Sequence, residues 1–305
     1  MSLVVVGSVA LDSVETAQGS RERVLGGAAS FFSVAASFLT RPVRLVGVVG
    51  EDFPEEHVRF LGEQGIDLSG LERTAGLTFF WRGRYSPDLA CRTTLETQLN
   101  VFEHFRPKLP TSYRDAEFVF LANIHPSLQL EVLEQVASPR LVACDTMNFW
   151  IERTPDELRR TLSRVGLLVI NDEEARQLGG EHNLVRAARA IRALGPHSVI
   201  VKRGDSGALL FHENGIFAAP AFPLEDVVDP TGAGDSFAGG FMGYLARARS
   251  VAPEEVRRAM IYGSVLASFS VEDFSLDRFR RLRPADVYAR FRAFRALTQF
   301  EDIDL

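Results

Sequence analysis

Short apolar runs of strand length recur along this chain with helix-patterned segments between them, and no other feature restricts its fold so strongly. The runs are LVVVGSVALD at 3–12, VRLVGVVG at 43–50, EFVFLANI at 117–124, RLVACDTM at 140–147, VGLLVIND at 165–172 and SVIVKRGD at 198–205. Helical spacing fills 54–64, 127–137, 155–164 and 183–194, and a helix of small residues, GAASFFSVAASFL, runs from about Gly27 to Leu39. Strands alternating with helices predict a mostly parallel sheet covered on both faces. With 305 residues, 46% hydrophobic and 24% charged, the chain has the material to bury such a sheet. There is no fixed-period repeat and no low-complexity linker.

Two segments break this rhythm. Residues 12–25 and 74–101 are polar and β-prone, with alternation in TFFWRGRY at 78–85. They predict a small second sheet inserted into a single α/β domain of residues 1–305, too small to fold alone. It would act as a lid over the C-terminal edge of the main sheet, where open α/β folds bind ligands. Phe79, Phe80, Trp81 and Tyr85 fit either stacking on a base or sugar or a small core of the lid itself. Arg84 and Arg92 fit either site contacts or solvated charges. ADVYARFRAFRALTQF at 285–300 reads as an amphipathic helix packed on the core.

Composition excludes several functions. A net charge of −6 argues against a general nucleic-acid binder and favours a small-molecule or protein partner. No segment reads as a membrane span or a signal peptide, and the only cysteines are Cys91 and Cys144. This predicts a cytoplasmic protein whose thiols are reduced core residues. The six histidines have no metal-ligand spacing. No G-x-x-x-x-G-K-[ST] loop occurs. GDSG at 204–207 would make Ser206 a protease nucleophile only on an all-β double barrel, against the α/β alternation.

The densest signal is VVDPTGAGDSFAGGF at 227–241. Gly232 and Gly234 allow backbone angles closed to other residues and leave no side chain between their amides and a ligand. SFAGGFMGYLA then reads as a helix, whose first N–H groups are unpaired and carry partial positive charge. The amides of Gly232, Ala233 and Gly234 therefore fit an anion hole, although the same composition makes plain strand-to-helix turns. Asp235 favours chemistry: a carboxylate there repels a phosphate but is placed to take a proton from a hydroxyl attacking it. Gly239, Gly240 and Gly243 each cost about 1 kcal/mol inside a helix relative to alanine. Close packing, for instance against the small face of helix 27–39, would offset that cost.

With these parts in this order, the chain resembles the ribokinase-like, or PfkB, family of carbohydrate and nucleoside kinases. The resemblance rests on Asp229, Thr231 and the G-A-G-D of 232–235. It extends through GSVALD at 7–12, GGAA at 26–29, VGVVGED at 46–52, NDEE at 171–174 and VKRGDSGALL at 201–210. It implies a three-layer α/β/α sandwich with a small inserted β-sheet lid, ATP and Mg²⁺, K⁺ as a further ion, and a homodimer through the lid as in some members. It further implies Asp235 as catalytic base, with the amides of Gly232, Ala233 and Gly234 on the transferring phosphate. Asp12, Gly26, Gly27, Ser30 and Asn148 fall on the substrate side, and Lys202, Gly204 and Gly207 at the nucleotide, with ASFSVEDFS at 267–275 flanking its adenine. Asn171 and Glu174 match the element that places Mg²⁺ through water, and Asp229 and the Thr231 carbonyl match a monovalent-cation site. Read without the resemblance, Asn171 and Glu174 are also a helix cap, and Asp12 a turn residue.

Two departures bear on the acceptor. Ser30 and Phe31 stand in the region where many sugar kinases carry an asparagine after the double glycine. DTMNFW at 145–150 is similar both to a sugar-kinase and to an adenosine-kinase element. The resemblance implies transfer of the γ-phosphate of ATP to a primary hydroxyl of a small sugar or polyol. A nucleoside acceptor, or an inactive ligand-binding member of the fold, stands as the alternative.

Overall fold

The structure is a computed structural model that describes residues 2–301. Its strands in chain order are β1 Leu3–Val6, β2 Ala10–Thr16, β3 Gly19–Gly26, β4 Val43–Val49, β5 Ile66–Arg73, β6 Phe80–Tyr85, β7 Arg92–Gln98, β8 Phe118–Leu121, β9 Leu141–Cys144, β10 Leu167–Asn171, β11 Ser198–Lys202, β12 Ala208–His212 and β13 Gly215–Ala219. Nine form one sheet in the order β13-β12-β11-β10-β9-β8-β1-β4-β5. Neighbours from β11 to β5 run parallel, and β12 and β13 extend one edge antiparallel. Side chains alternate between two apolar layers. Leu3 and Val5 join the core on one face, Val4 and Val6 the core on the other.

The expected alternation of strands and helices is therefore present, and it places a ligand crevice. β1 has β4 on one side and β8 on the other, with Val6 in register with both Val46 and Leu121. The chain winds away from β1 in both directions, so the carboxyl ends of these strands open onto a crevice at the switch point.

The run 3–12, expected as one strand, is divided. β1 ends at Val6, the Gly7 N–H donates to the Val46 carbonyl at 3.1 Å, and Ala10–Thr16 enters a second sheet of order β3-β2-β6-β7. β5 was not legible as a strand, because it lies at the edge of the main sheet and its half-exposed sequence IDLSGLER lacks an apolar run. Cys144 is buried in β9 as expected, whereas Cys91 is exposed between β6 and β7, in a hairpin too thin to enclose it.

The helix Ala28–Ser37 packs against the helix Ala233–Ala248, which in turn packs on Pro253–Ser270. The glycines of the middle helix make this closeness possible. A Cβ on Gly239 would overlap the Phe32 carbonyl, one on Gly243 would lie 2.9 Å from Ala36 Cα, and one on Gly240 2.6 Å from the Tyr262 carbonyl oxygen. The last helix, Pro284–Thr298, buries Val287 and Phe294 against the core. Among the described residues no helix is long and apolar enough to cross a membrane.

Candidate active site

The loop 227–232 leads into the helix Ala233–Ala248, which begins the glycine-rich site. Asp229, 1% exposed, braces the loop: its Oδ1 accepts the Thr231 N–H at 2.9 Å and its Oδ2 the Ser275 N–H at 3.1 Å. Gly232 has φ 74°, and a Cβ there would run into the Phe31 ring, so only glycine fits. The Ala233 N–H already donates to the Pro230 carbonyl at 3.2 Å, whereas the N–H groups of Gly232, Gly234 and Asp235 have no backbone acceptor. Of the three amides expected to form an anion hole, those of Gly232 and Gly234 are thus without a backbone acceptor, and that of Ala233 is engaged in the turn. Lys202, the last residue of β11, lies over this turn, its Nζ 2.6 Å from the position a Gly234 Cβ would take.

On the other side of the crevice stands Asp12, 6% exposed on β2. The glycine pair is explained by it: a Cβ on Gly26 would overlap the Asp12 carboxylate, and the Gly27 N–H hydrogen-bonds that carboxylate. Burial pushes the Asp12 pKa up to about 7; the Gly27 bond opposes this, and the charges of Asp229 and Asp235 add to it. Ser30 is enclosed in the helix Ala28–Ser37, its N–H donating to the Gly27 carbonyl at 3.0 Å and its hydroxyl unpartnered. Asn148 is exposed at the start of the helix Asn148–Arg153, where its Oδ1 accepts the Phe149 N–H at 3.0 Å.

β10 and β11 present Asn171 and Lys202 side by side in register at their carboxyl ends. Asn171 caps the helix Asp172–Gly179, its Oδ1 accepting the Glu174 N–H at 2.8 Å while Glu174 Oε2 accepts the Asn171 N–H at 2.9 Å. The capping geometry anticipated from sequence is present, and it fixes Glu174 at the crevice. Gly204 lies exposed in the turn Gly204–Ser206 beyond Lys202, with open space where a Cβ would be. Gly207 is buried beneath it against the 219–221 segment.

The carboxylates of this crevice share one electrostatic condition. Burial raises the pKa values of Asp12, Asp145, Glu174, Asp229 and Asp235. Lys202 draws Asp235, Asp145 and Glu174 back down, and Arg92 of β7 does so for Asp12, Glu174 and Asp235. Asp235 keeps part of its surface open, yet lies among enough protein that desolvation dominates its pKa.

Asp145 was not singled out from the sequence. It follows β9, is 7% exposed, and its Oδ1 is buried without a hydrogen-bond partner. Burial raises its pKa well above the ordinary range, and repulsion from Asp235 raises it further. Of the two acids, Asp145 therefore holds a proton more readily. The legible signal was an acid closing the apolar run RLVACD at the carboxyl end of a parallel strand, the position where α/β folds place ligand contacts.

Comparison with known proteins places this crevice in context. The family model described as pfkB family carbohydrate kinase matches residues 2–278. The chain is 32% identical over 255 residues to the cytidine kinase of Thermococcus kodakarensis, covering 82% of this chain and 90% of that one. Its fold is similar to that of a Burkholderia thailandensis nucleoside kinase solved with inosine, with TM-score 0.79, 18% identity, and 95% and 97% of the two chains covered. It is also similar to a Salmonella enterica aminoimidazole riboside kinase solved with aminoimidazole riboside and an ATP analogue, with TM-score 0.74, 20% identity, and 95% and 100% covered.

Proposed function

The chain belongs to the pfkB family of carbohydrate kinases and is a phosphotransferase with an alcohol group as acceptor; from that premise we propose that it transfers the γ-phosphate of ATP to the primary hydroxyl of a nucleoside. The observation that carries the proposal is the place of Asp235, in the first turn of a helix whose neighbouring amides lack backbone acceptors, beneath the Lys202 ammonium. In this reading Asp235 takes the proton of the acceptor hydroxyl as the new O–P bond forms. The N–H groups of Gly232 and Gly234, with Lys202, face the charge on the transferring phosphoryl group. Asp12, backed by Gly26 and Gly27, receives other hydroxyls of the acceptor. Asn171, Lys202, Gly204 and Gly207 line the nucleotide side.

The residues fit the ions this chemistry uses. Five carboxyl groups face two cations, their raised pKa values reflect charge that the protein leaves uncompensated, and all the donors are oxygen, which suits a hard divalent cation. Among the described residues no cluster of three His, Cys, Asp or Glu side chains could hold a metal alone. Glu174 would hold Mg²⁺ through water, with the phosphates completing its shell, and the ion supplies charge neutralisation there. Asp229 is a buried carboxylate with no basic side chain among the groups that shift it. A K⁺ ion beside it and the Thr231 carbonyl would compensate that charge. Segments 12–25 and 74–101 form the lid, whose closure excludes water from the phosphate. The exposed edge strand β7 is the part of the lid suited to a homodimer.

The relatives' names favour a nucleoside acceptor, and the family's description keeps a free sugar or polyol as the second reading. ADP release from ATP and Mg²⁺, with and without K⁺, measured across cytidine, inosine, ribose and myo-inositol, separates the two. Fastest release with a nucleoside is the expected result, and fastest release with ribose or inositol would transfer the assignment to sugars. ADP release no faster with any acceptor than without would contradict the kinase reading.

A further inference from the structure

The last helix, Pro284–Thr298, lies beyond residues 2–278 that the family model matches, yet one of its side chains reaches toward the glycine loop. Arg290 on this helix has a side chain only 15% exposed. Its guanidinium lies between two rings, 3.5 Å from the centre of Phe269 and 4.8 Å from that of Phe222. It pairs with Glu272 Oε1 at 2.6 Å and donates to Ser268 Oγ at 3.1 Å. The second Glu272 oxygen, Oε2, accepts from Arg278 Nε of the short helix Asp277–Arg281, also at 2.6 Å. Arginines from two helices thus hold both oxygens of one carboxylate.

We propose that Arg290 is a positioning residue for the glycine loop, acting through Glu272 on the turn 270–275. Its effect on turnover rests on the kinase reading above; its effect on the loop does not. The turn frames the loop. The Val271 carbonyl accepts the Val228 N–H at 2.8 Å, the Ser275 N–H donates to Asp229 Oδ2 at 3.1 Å, and Ser270 Oγ accepts at 3.2 Å from Ser236 Oγ, on the helix that carries Asp235. Ser275 has φ 53°, in the left-handed region that serine rarely adopts, and such a backbone persists only where its surroundings fix it. Phe222 stands on the segment that leads from β13 to the loop, and Phe269 ends the helix Pro253–Ser270 just before the turn. A guanidinium packed between these rings therefore fastens together the two segments that meet at the Val228–Val271 bond. A planar guanidinium can lie against the rings while its N–H groups reach Glu272 and Ser268, which the compact ammonium of a lysine cannot match.

The test combines hydrogen exchange with steady-state kinetics on Arg290→Met, Arg290→Lys, Glu272→Gln and the Arg290→Met/Glu272→Gln double variant. Arg290→Met keeps an apolar stem between the two rings, and the isosteric Glu272→Gln removes the same pair should Arg290→Met fail to fold. In either variant residues 228–232 should exchange about 10-fold faster than in the wild type, with the protection of β1 unchanged. With ATP and the fastest acceptor of the screen, kcat should fall about 10-fold and the acceptor KM should stay. Arg290→Lys should recover part of both losses, and the double variant should lose no more than Glu272→Gln alone. Faster exchange confined to residues 284–298 would mean that Arg290 only fastens its own helix and would overturn the proposal. A wild-type kcat in both single variants, a change confined to KM, or additive losses in the double variant would overturn it as well. Inactivity of the wild type with every acceptor defeats the kinase reading, and the exchange of residues 228–232 then decides the inference by itself.

Discussion

Asp12, in the proposed reading, trades stability for acceptor binding. Its carboxyl is drawn from the ordinary value of 3.8 up to about 7 by burial beneath the glycine pair. The folded protein therefore holds a proton there that the unfolded chain has released, and between pH 3.8 and about 7 stability falls as pH rises. Above that window the penalty is complete, with an upper bound of about 4 kcal/mol. Asp12→Asn removes the ionisation while keeping an oxygen for the Gly27 N–H. The variant should melt above the wild type at pH 8 and level with it below pH 4, as read by thermal denaturation across that range. It should bind the acceptor more weakly. Equal melting at pH 8 would mean that Asp12 is solvated in the free protein.

At the scale of elements, the packing of Ala28–Ser37 on Ala233–Ala248 sets the position of the glycine turn. In an exposed helix Gly→Ala gains about 1 kcal/mol. At Gly239 the added methyl would overlap the Phe32 carbonyl, so the sign reverses and a loss of about 1–3 kcal/mol is expected, as for other overpacked interfaces. The shift in urea midpoint of Gly239→Ala measures it, and a gain in stability would show that the two helices separate without cost. This contact was legible in sequence because glycine inside a helix is unfavourable unless something lies close, and the matching face of Ala35 and Ala36 supplied the partner. The main strands were legible for a similar reason, since buried parallel strands are apolar throughout. The passage from β1 into the second sheet was not: Val9, Ala10 and Leu11 are as apolar as β1 itself, and only tertiary pairing assigns them to another sheet. Edge strand β5 carries charges along its half-exposed length and left no comparable pattern.

In the whole molecule, two sheets meet over one loop. The small sheet has too few strands to be stable by itself, and its anchors lie on the segments that carry the chemistry. Ser275 Oγ donates to the Leu25 carbonyl at 2.5 Å, the Arg21 guanidinium lies 4.8 Å from the centre of the Phe274 ring, and Tyr85 reaches Thr231. The glycine run and its acid were readable because each residue type has a local physical reason. Asp145 and the contact of Tyr85 with Thr231 were hidden because they depend on which strands converge. In the proposed reading the assembly brings an acceptor hydroxyl, a phosphoryl group and one base together, and that reading depends most on the base. Asp235→Asn preserves the shape of the turn and removes the proton acceptor, so the direct measurement is turnover beside ATP affinity in this variant. The account predicts a fall in kcat of about 1000-fold with ATP binding, by titration calorimetry, unchanged; turnover close to wild type would contradict it.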